Sequence, residues 1–243
     1  MKKRLLSIIL SMTMCVSVLP MTAFAGVTEY DLWVNGERFT SEKLTIQCGD
    51  GTAKFDPDKY ELTLKDVTIT ESQEGAEGAI CAKQDIDIVT EGTNVINLDD
   101  SKEAFGIYVY GDLTLSGEGS LDVTVANDDY DGIWTDAGDL TVAMAGKLTI
   151  NAGDDGLYAD YDLKVTGSGE IDIKAGSNGL YSQDSNIILS GGGDIVIDAY
   201  NGIYSYEGNV TISNNANVDI DAKEDCIHAD DDVTLSGSGN YDL

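Results

Sequence analysis

Residues 153–175 read GDDGLYADYDLKVTGSGEIDIKA. Three short apolar alternations lie in this stretch: Leu157 with Ala159, Leu163 with Val165, and Ile171 with Ile173. Acidic or glycine-rich corners separate them. Alternation over so few residues marks short strands with one buried face. A single turn of three such strands cannot bury that face, so the fold depends on whether the pattern repeats. It does. A Gly-aliphatic-aromatic-small unit recurs as GIYV at 106, GIWT at 132, GLYA at 156, GLYS at 179 and GIYS at 202, with degenerate copies AICA at 79 and CIHA at 226. Its aliphatic residue falls at Ile80, Ile107, Ile133, Leu157, Leu180, Ile203 and Ile227, at spacings of 27, 26, 24, 23, 23 and 24.

A second apolar pair follows in each repeat: LTL at 113, LTV at 140, LKV at 163, IIL at 187, VTI at 210 and VTL at 233. A third lies eight residues further on in five successive repeats: LDV at 121, LTI at 148, IDI at 171, IVI at 195 and VDI at 218. The first repeat, near Ile86, carries an extra residue and fits less well. Stacked coils bury what one coil cannot, because each strand pairs with its equivalents above and below. The expected fold is all-β: a parallel β-helix, right-handed like most crossover connections, with three strands per coil and about seven coils. At the usual strand separation, seven coils make a rod roughly 33 Å long. A β-sandwich has no need of one motif seven times in register, and a propeller blade is usually about 40 residues or more.

The rest of the chain divides around this repeat. Residues 1–25 have the form of a secretory signal peptide: Lys2, Lys3 and Arg4, an apolar run from Leu5 to Leu19, and the small-x-small site Ala23-Phe24-Ala25. Met12-Thr13-Met14 before Cys15 is not a lipoprotein box, so cleavage after Ala25 without a lipid anchor is expected. Residues 26–74 read as an N-terminal β cap, which shields the unpaired edge of coil one. It contains one hairpin at Asn35-Gly36 and another turning at Asp56-Pro57-Asp58. Residues 75–243 are the β-helix.

The chain carries 14 basic and 44 acidic residues, a net charge of −30, and losing the three leader cations takes this to −33. Such a chain repels nucleic acid and anionic membranes. No second long apolar run follows the leader, so no membrane insertion is expected. The predicted location is secreted or extracellular, with cell-surface association an open alternative. Three cysteines follow the leader, Cys48, Cys81 and Cys226, and the odd number argues against a disulfide framework. Cys81 and Cys226 lie six coils apart, roughly 29 Å, beyond disulfide reach. A Cys48–Cys81 bond stays open.

Stacking turns equivalent positions into columns. The first is aromatic: Tyr108, Trp134, Tyr158, Tyr181 and Tyr204, ended by Cys81 and His228. With an aliphatic residue before it and a small residue after it both pointing inward, each aromatic is expected to point outward. Two readings are open. The stripe is a platform on which sugar rings stack, or the rings stack on one another and serve the scaffold. His228 reads as the end of the column rather than a catalyst. The second column is Asp85, Asp112, Asp139, Asp162, Asn186, Asn209 and Asp232; the third is Asp131, Asp155, Asn178, Asn201 and Asp225. Stacked amides bond to one another. Stacked carboxylates about 5 Å apart repel unless they splay, take up protons or share a cation. Oxygen ligands without a Cys/His set point to Ca²⁺ rather than zinc. The candidate clusters are Asp129, Asp131, Asp154 and Asp155 on one corner, and Asp136, Asp139, Asp160 and Asp162 on the other. A solvated acidic surface is the bland alternative.

GDDGLYAD at 153–160 and EDCIHADDDVTLSGSG at 224–239 resemble the secreted bacterial carbohydrate-binding parallel β-helix proteins, relatives in shape of pectate lyases. Their motif runs approximately G-D-D-G-I-H-A-D before a Leu-Thr-Ile strand and a glycine turn. Here Tyr158 replaces its His, Cys226 its Gly and Glu224 an Asp. The resemblance covers residues 75–243. It implies binding of cellulose-like or acidic plant polysaccharides, with calcium on the solenoid and no cleavage. A polysaccharide lyase or glycosidase is the catalytic alternative. Lyase chemistry requires a base, usually arginine, and the only one after the leader is Arg38, in the cap. Asp154 and Asp155 could imitate a glycosidase pair. A structural spacer or adhesin is the third reading. Tyr241 falls where the third strand of coil seven begins, with no cap after it. Self-association through that coil, a fragment and a frayed end are open alternatives there.

Overall fold

The computed structural model describes residues 26–72, 77–213 and 216–243. The signal-peptide expectation for residues 1–25 lies outside them, as does the expected boundary at 74/75. Every regular element among the described residues is a strand, and no helix there is long and apolar enough to cross a membrane.

The strands form three sheets. The first stacks Gly78–Ala82, Phe105–Tyr110, Ile133–Asp136, Leu157–Ala159, Asn178–Ser182, Asn201–Ser205 and Ile227–Ala229, one per coil. All are parallel, with Ile107, Ile133, Leu157, Leu180, Ile203 and Ile227 aligned in one row. The second sheet runs from Ile86–Glu91 to Val233–Leu235 and the third from Thr93–Leu98 to Tyr241–Asp242, again one strand per coil. This is a parallel β-solenoid of seven coils with three strands each.

The interior is a stack of aliphatic layers. Ile133, Leu140 and Leu148 supply one coil, and Leu157, Leu163 and Ile171 the next, all at most 3% exposed. The repeat glycine is where the third strand meets the first. A Cβ on Gly179 would lie 2.3 Å from Cγ2 of Ile197 and 2.6 Å from the carbonyl oxygen of Gly202, so only hydrogen fits there. Small hydroxyl residues after the aromatic point inward and tie down the adjoining corner: Ser182 Oγ donates to Tyr161 O (2.6 Å) and Ser205 Oγ to Ser185 O (2.8 Å).

The cap is more closely merged with the solenoid than its sequence suggests. The expected hairpins form, Glu29–Val34 with Glu37–Thr40 and Gly51–Asp56 with Glu61–Lys65. Asn35 and Gly36 supply the positive φ angles (51° and 76°) that a tight two-residue turn needs. A third hairpin, Thr45–Cys48 with Gly51–Asp56, was not expected. The strand Glu61–Lys65 pairs in parallel with Ile86–Glu91, and Thr68–Ile69 with Thr93–Leu98. These two form a partial coil beneath coil one. On the first sheet, Glu29–Val34 covers Gly78–Ala82 in antiparallel fashion. The extra residue expected in the first repeat is not there: Ile86 to Asn94 keeps the eight-residue spacing of Leu113 to Leu121, and the pattern is broken by a polar side chain at an aliphatic place. Asn94 takes an inward position opposite Leu121 and is fully satisfied: its amide donates to Glu91 O and Ser120 O, and its oxygen accepts from Val67 N. The three cysteines among the described residues are free, Cys48 and Cys81 buried and Cys226 partly so.

Candidate functional site

Tyr108, Trp134, Tyr158, Tyr181, Tyr204 and His228 are vertical neighbours in consecutive strands of the first sheet. Their rings touch throughout, with centroids 4.3 to 5.9 Å apart. The upper part is tilted or edge-to-face; Tyr181–Tyr204 and Tyr204–His228 are stacked, at interplanar angles of 20° and 13°. The rings therefore cover much of one another's faces, as the scaffold reading required. The outward expectation needs correction at Tyr108. That ring is 3% exposed, because Phe105 packs against it and Lys83 Nζ lies 4.5 Å over it. Its hydroxyl donates to Asp136 (2.7 Å). Trp134, Tyr158, Tyr181 and Tyr204 are half-buried. Burial, then neighbouring carboxylates, pushes Tyr108 and Tyr158 far above the usual phenol range and Tyr181 to about 12. These phenols are neutral donors at any physiological pH.

Four tyrosines outside the column are more exposed than any within it: Tyr110, Tyr161, Tyr200 and Tyr206. Tyr200 and Tyr206 flank Tyr204 in coil six. A groove of about 460 Å³ lies beside them, spanning coils five to seven, with Tyr181, Tyr204 and His228 in its lining. The repeat pattern missed both, because their equivalents in neighbouring coils are Ser177 and Glu224, and Gln183 and Asp230.

The two acid columns are hydrogen-bonded ladders. In the second column each side chain accepts the backbone N–H of the next member: Asp85 from Asp112 (2.9 Å), Asp112 from Asp139 (2.8 Å), Asp139 from Asp162 (3.1 Å), and so on through Asn186 and Asn209 to Asp232. An aspartate serves as well as an asparagine, since only an oxygen acceptor is needed. In the third column Asp131 accepts from Asp155 N (2.9 Å), Asp155 from Asn178 N (2.7 Å), and Asn201 from Asp225 N (3.3 Å).

The expected metal residues separate accordingly. Asp131, Asp154 and Asp155 come together, each offering an oxygen within 4.8 Å of the others. Asp131 and Asp155 are 5% and 6% exposed. Burial, then the charge of its acidic neighbours, raises Asp131 to about 8. Burial raises Asp155 to about 6, against hydrogen bonds from Asn178. Among the described residues no Lys or Arg pairs with any of the three. Asp129 stays outside the group; it is exposed, and its backbone N–H caps onto Asn127. The second quartet is not one cluster. Lys164 Nζ lies 2.9 Å from both Asp139 and Asp162, so a lysine supplies the shared cation there. Burial alone would raise Asp162, but bonds from Ser185, Lys164 and Asn186 hold it down at about 2. Asp136 takes the Tyr108 hydroxyl, and Asp160 the backbone N–H of Ala137 (2.8 Å). Three carboxylates with no cationic side chain are a hard-oxygen donor set, which suits Ca²⁺. The buried, charge-crowded Asp131 is the residue that such an ion would relieve most.

Two cationic side chains, Arg38 and Lys147, are engaged in ion pairs. Arg38 bridges Glu29 and Asp31, each at 2.5 Å, and lies over Trp33. Lys147 pairs with Glu170 (2.7 Å) and Asp172 (3.4 Å).

Residues 45–199, more than half the chain, match the family described as carbohydrate-binding domain-containing protein. No curated protein matches the chain. Among solved structures it is similar to one described as the polysaccharide lyase-like protein from C. thermocellum, a gadolinium derivative. The two are 16% identical over 90% of this chain and 100% of that one, with a TM-score of 0.45.

Proposed function

We propose, for a chain that belongs to the carbohydrate-binding domain-containing protein family, that it is a secreted module that holds a polysaccharide without cleaving it. The observation that carries this reading is the aromatic side of the solenoid, where ring edges emerge in register on consecutive coils. Aromatic surface of this kind receives the C–H faces of pyranose rings, and its flanking amides and carboxylates receive their hydroxyls.

The non-cleaving reading draws support from three cationic groups that are already paired. Arg38 is tied down in the cap, and Lys147 and Lys164 are each held between two carboxylates. Asp131 and Asp155 have the raised pKa values of a general acid, but both are buried members of the ladder and each accepts a backbone N–H.

Calcium belongs to the same reading, at Asp131, Asp154 and Asp155. Two of these ligands are buried, so the ion's role is to hold the corner between coils three and four rather than to bridge to sugar. It supplies positive charge there, and the ladder supplies the orientation.

The test is retention on insoluble cellulose and on polygalacturonate gel, with and without EDTA, followed by ultraviolet absorbance of the supernatant. Retention by a polymer, with lower thermal stability in EDTA, is the expected result. Retention by neither polymer overturns the binding reading, and an unsaturated ultraviolet-absorbing product overturns the non-cleaving one.

A further inference from the structure

We infer that the groove spanning coils five to seven is the glycan subsite, and that it accepts uncharged pyranose chains and rejects uronates. This rests on the polysaccharide-binding reading above and assigns it a place and a selectivity.

The first argument concerns ring faces. Most of the aromatic column spends its faces on itself, and a sugar needs a free one. No ring contact engages Tyr200 or Tyr206 among the described residues, and they are 44% and 53% exposed. They sit four residues before and two after Tyr204, at opposite margins of the strand Asn201–Ser205. Tyr204 and His228, stacked at 4.3 Å, pave the space between. The result is a trough with aromatic margins and a volume of about 460 Å³, within the range of small-ligand clefts. Its lining comes from three consecutive coils. Glu224 stands beside Tyr200, and its carboxylate raises the phenol above its ordinary range.

The second argument concerns charge. Glu224 and Asp225 line the groove and no Lys or Arg does. His228 Nδ1 lies 3.8 Å from Asp225, so the imidazole is turned toward that carboxylate. A uronate would bring a carboxylate against two others on a chain of net charge −30. Like charges at this range are repelled, and the whole-molecule field opposes approach. Hydroxyl groups meet no such penalty and find acceptors in the same two side chains.

Calorimetric titration of the full chain with hydroxyethyl cellulose and with polygalacturonate, in EDTA, decides the matter. Tyr200→Ala and Tyr206→Ala are expected to weaken glucan binding at least tenfold. Tyr110→Ala, equally exposed on distant coil two, is expected to leave it unchanged. Glu224→Gln with Asp225→Asn is expected to raise affinity for polygalacturonate. Unaltered circular dichroism checks that each variant is folded. If wild type binds the glucan and the Tyr200 and Tyr206 variants bind equally well, the groove assignment falls and the polysaccharide reading stands. If wild type prefers polygalacturonate, the selectivity falls. Binding of neither polymer overturns both.

Discussion

Replacing Asp131 by asparagine isolates what the buried acid contributes. The ladder needs only an oxygen at this position to accept the N–H of Asp155, and asparagine already fills the equivalent places at 178 and 201. The substitution therefore keeps the hydrogen bond and removes the titratable charge. Asp131 is raised to about 8 from an ordinary 3.8. Below about pH 4 the carboxyl is protonated in both folded and unfolded chains and costs nothing. As pH rises from about 4 to 8, the unfolded chain releases the proton and the folded one keeps it, so stability falls by about 1.4 kcal/mol per pH unit. Near pH 7 the accumulated penalty is about 4 kcal/mol at most, and relaxation around the site lowers it to about 2–4 kcal/mol. At about 2–4 °C per kcal/mol for a chain of this size, Asp131→Asn in EDTA raises Tm by about 5–15 °C near pH 7 and by almost nothing near pH 4. The assay is thermal unfolding followed by circular dichroism at both pH values. Saturating Ca²⁺ near pH 7 stabilises wild type and closes the gap, because the variant has lost a ligand. Equal Tm values near pH 7, or a gain of the same size near pH 4, would refute the reasoning.

Three further outcomes are expected. Gly179→Ala forces a methyl group against Ile197 and the Gly202 carbonyl and costs about 2–4 kcal/mol in a urea titration; Gly192→Ala, with open space around it, costs little. Lys164→Met leaves Asp139 and Asp162 facing each other and costs about 1 kcal/mol near neutral pH, since the partly exposed bridge is screened. Asp162 is held at about 2, so the contribution is present above about pH 4 and disappears as pH falls through about 2; unfolding midpoints at the two extremes measure it. Tyr158→Ala removes a ring 5.4 Å from Trp134, whose buried indole N–H has no hydrogen-bond partner among the described residues. Water then reaches that indole and its fluorescence shifts to the red, and an unchanged spectrum would mean the column is not packed as described.

The coil was legible in the chain because a solenoid writes its contacts as self-similarity. Tyr158, Tyr181 and Tyr204 recur at 23-residue intervals and stand directly above one another. Where the chain does not repeat, this reading weakens. Thr45–Cys48 is a four-residue strand with no copy elsewhere, and the partial coil of Glu61–Lys65 and Thr68–Ile69 has only two of three sides. Orientation was also hidden. An aspartate in a corner column looks the same in sequence whether it faces water or accepts a backbone N–H inside, and Asp131 and Asp155 do the latter. Lys164 stands where neighbouring coils carry Thr141 and Ile188, yet it is the cation that lets two stacked aspartates coexist.

The same logic explains why the groove escaped notice. Any residue that recurs in every coil must satisfy the same neighbours above and below, and stacking selects it for that. Such a residue offers a ligand only the edge its neighbours leave free, as the column from Tyr108 to Tyr204 does. Tyr200 and Tyr206 have no aromatic equivalents in coils five and seven, so no ring covers their faces. In a solenoid, recurring positions build the rod, and the irregular ones beside them are free to differ between coils and to carry recognition. A comparison of the chain with itself is sensitive to the first kind and blind to the second. The titration of Tyr200 and Tyr206 against Tyr110 is therefore a test of where specificity resides, since all three are exposed tyrosines and only two border the groove.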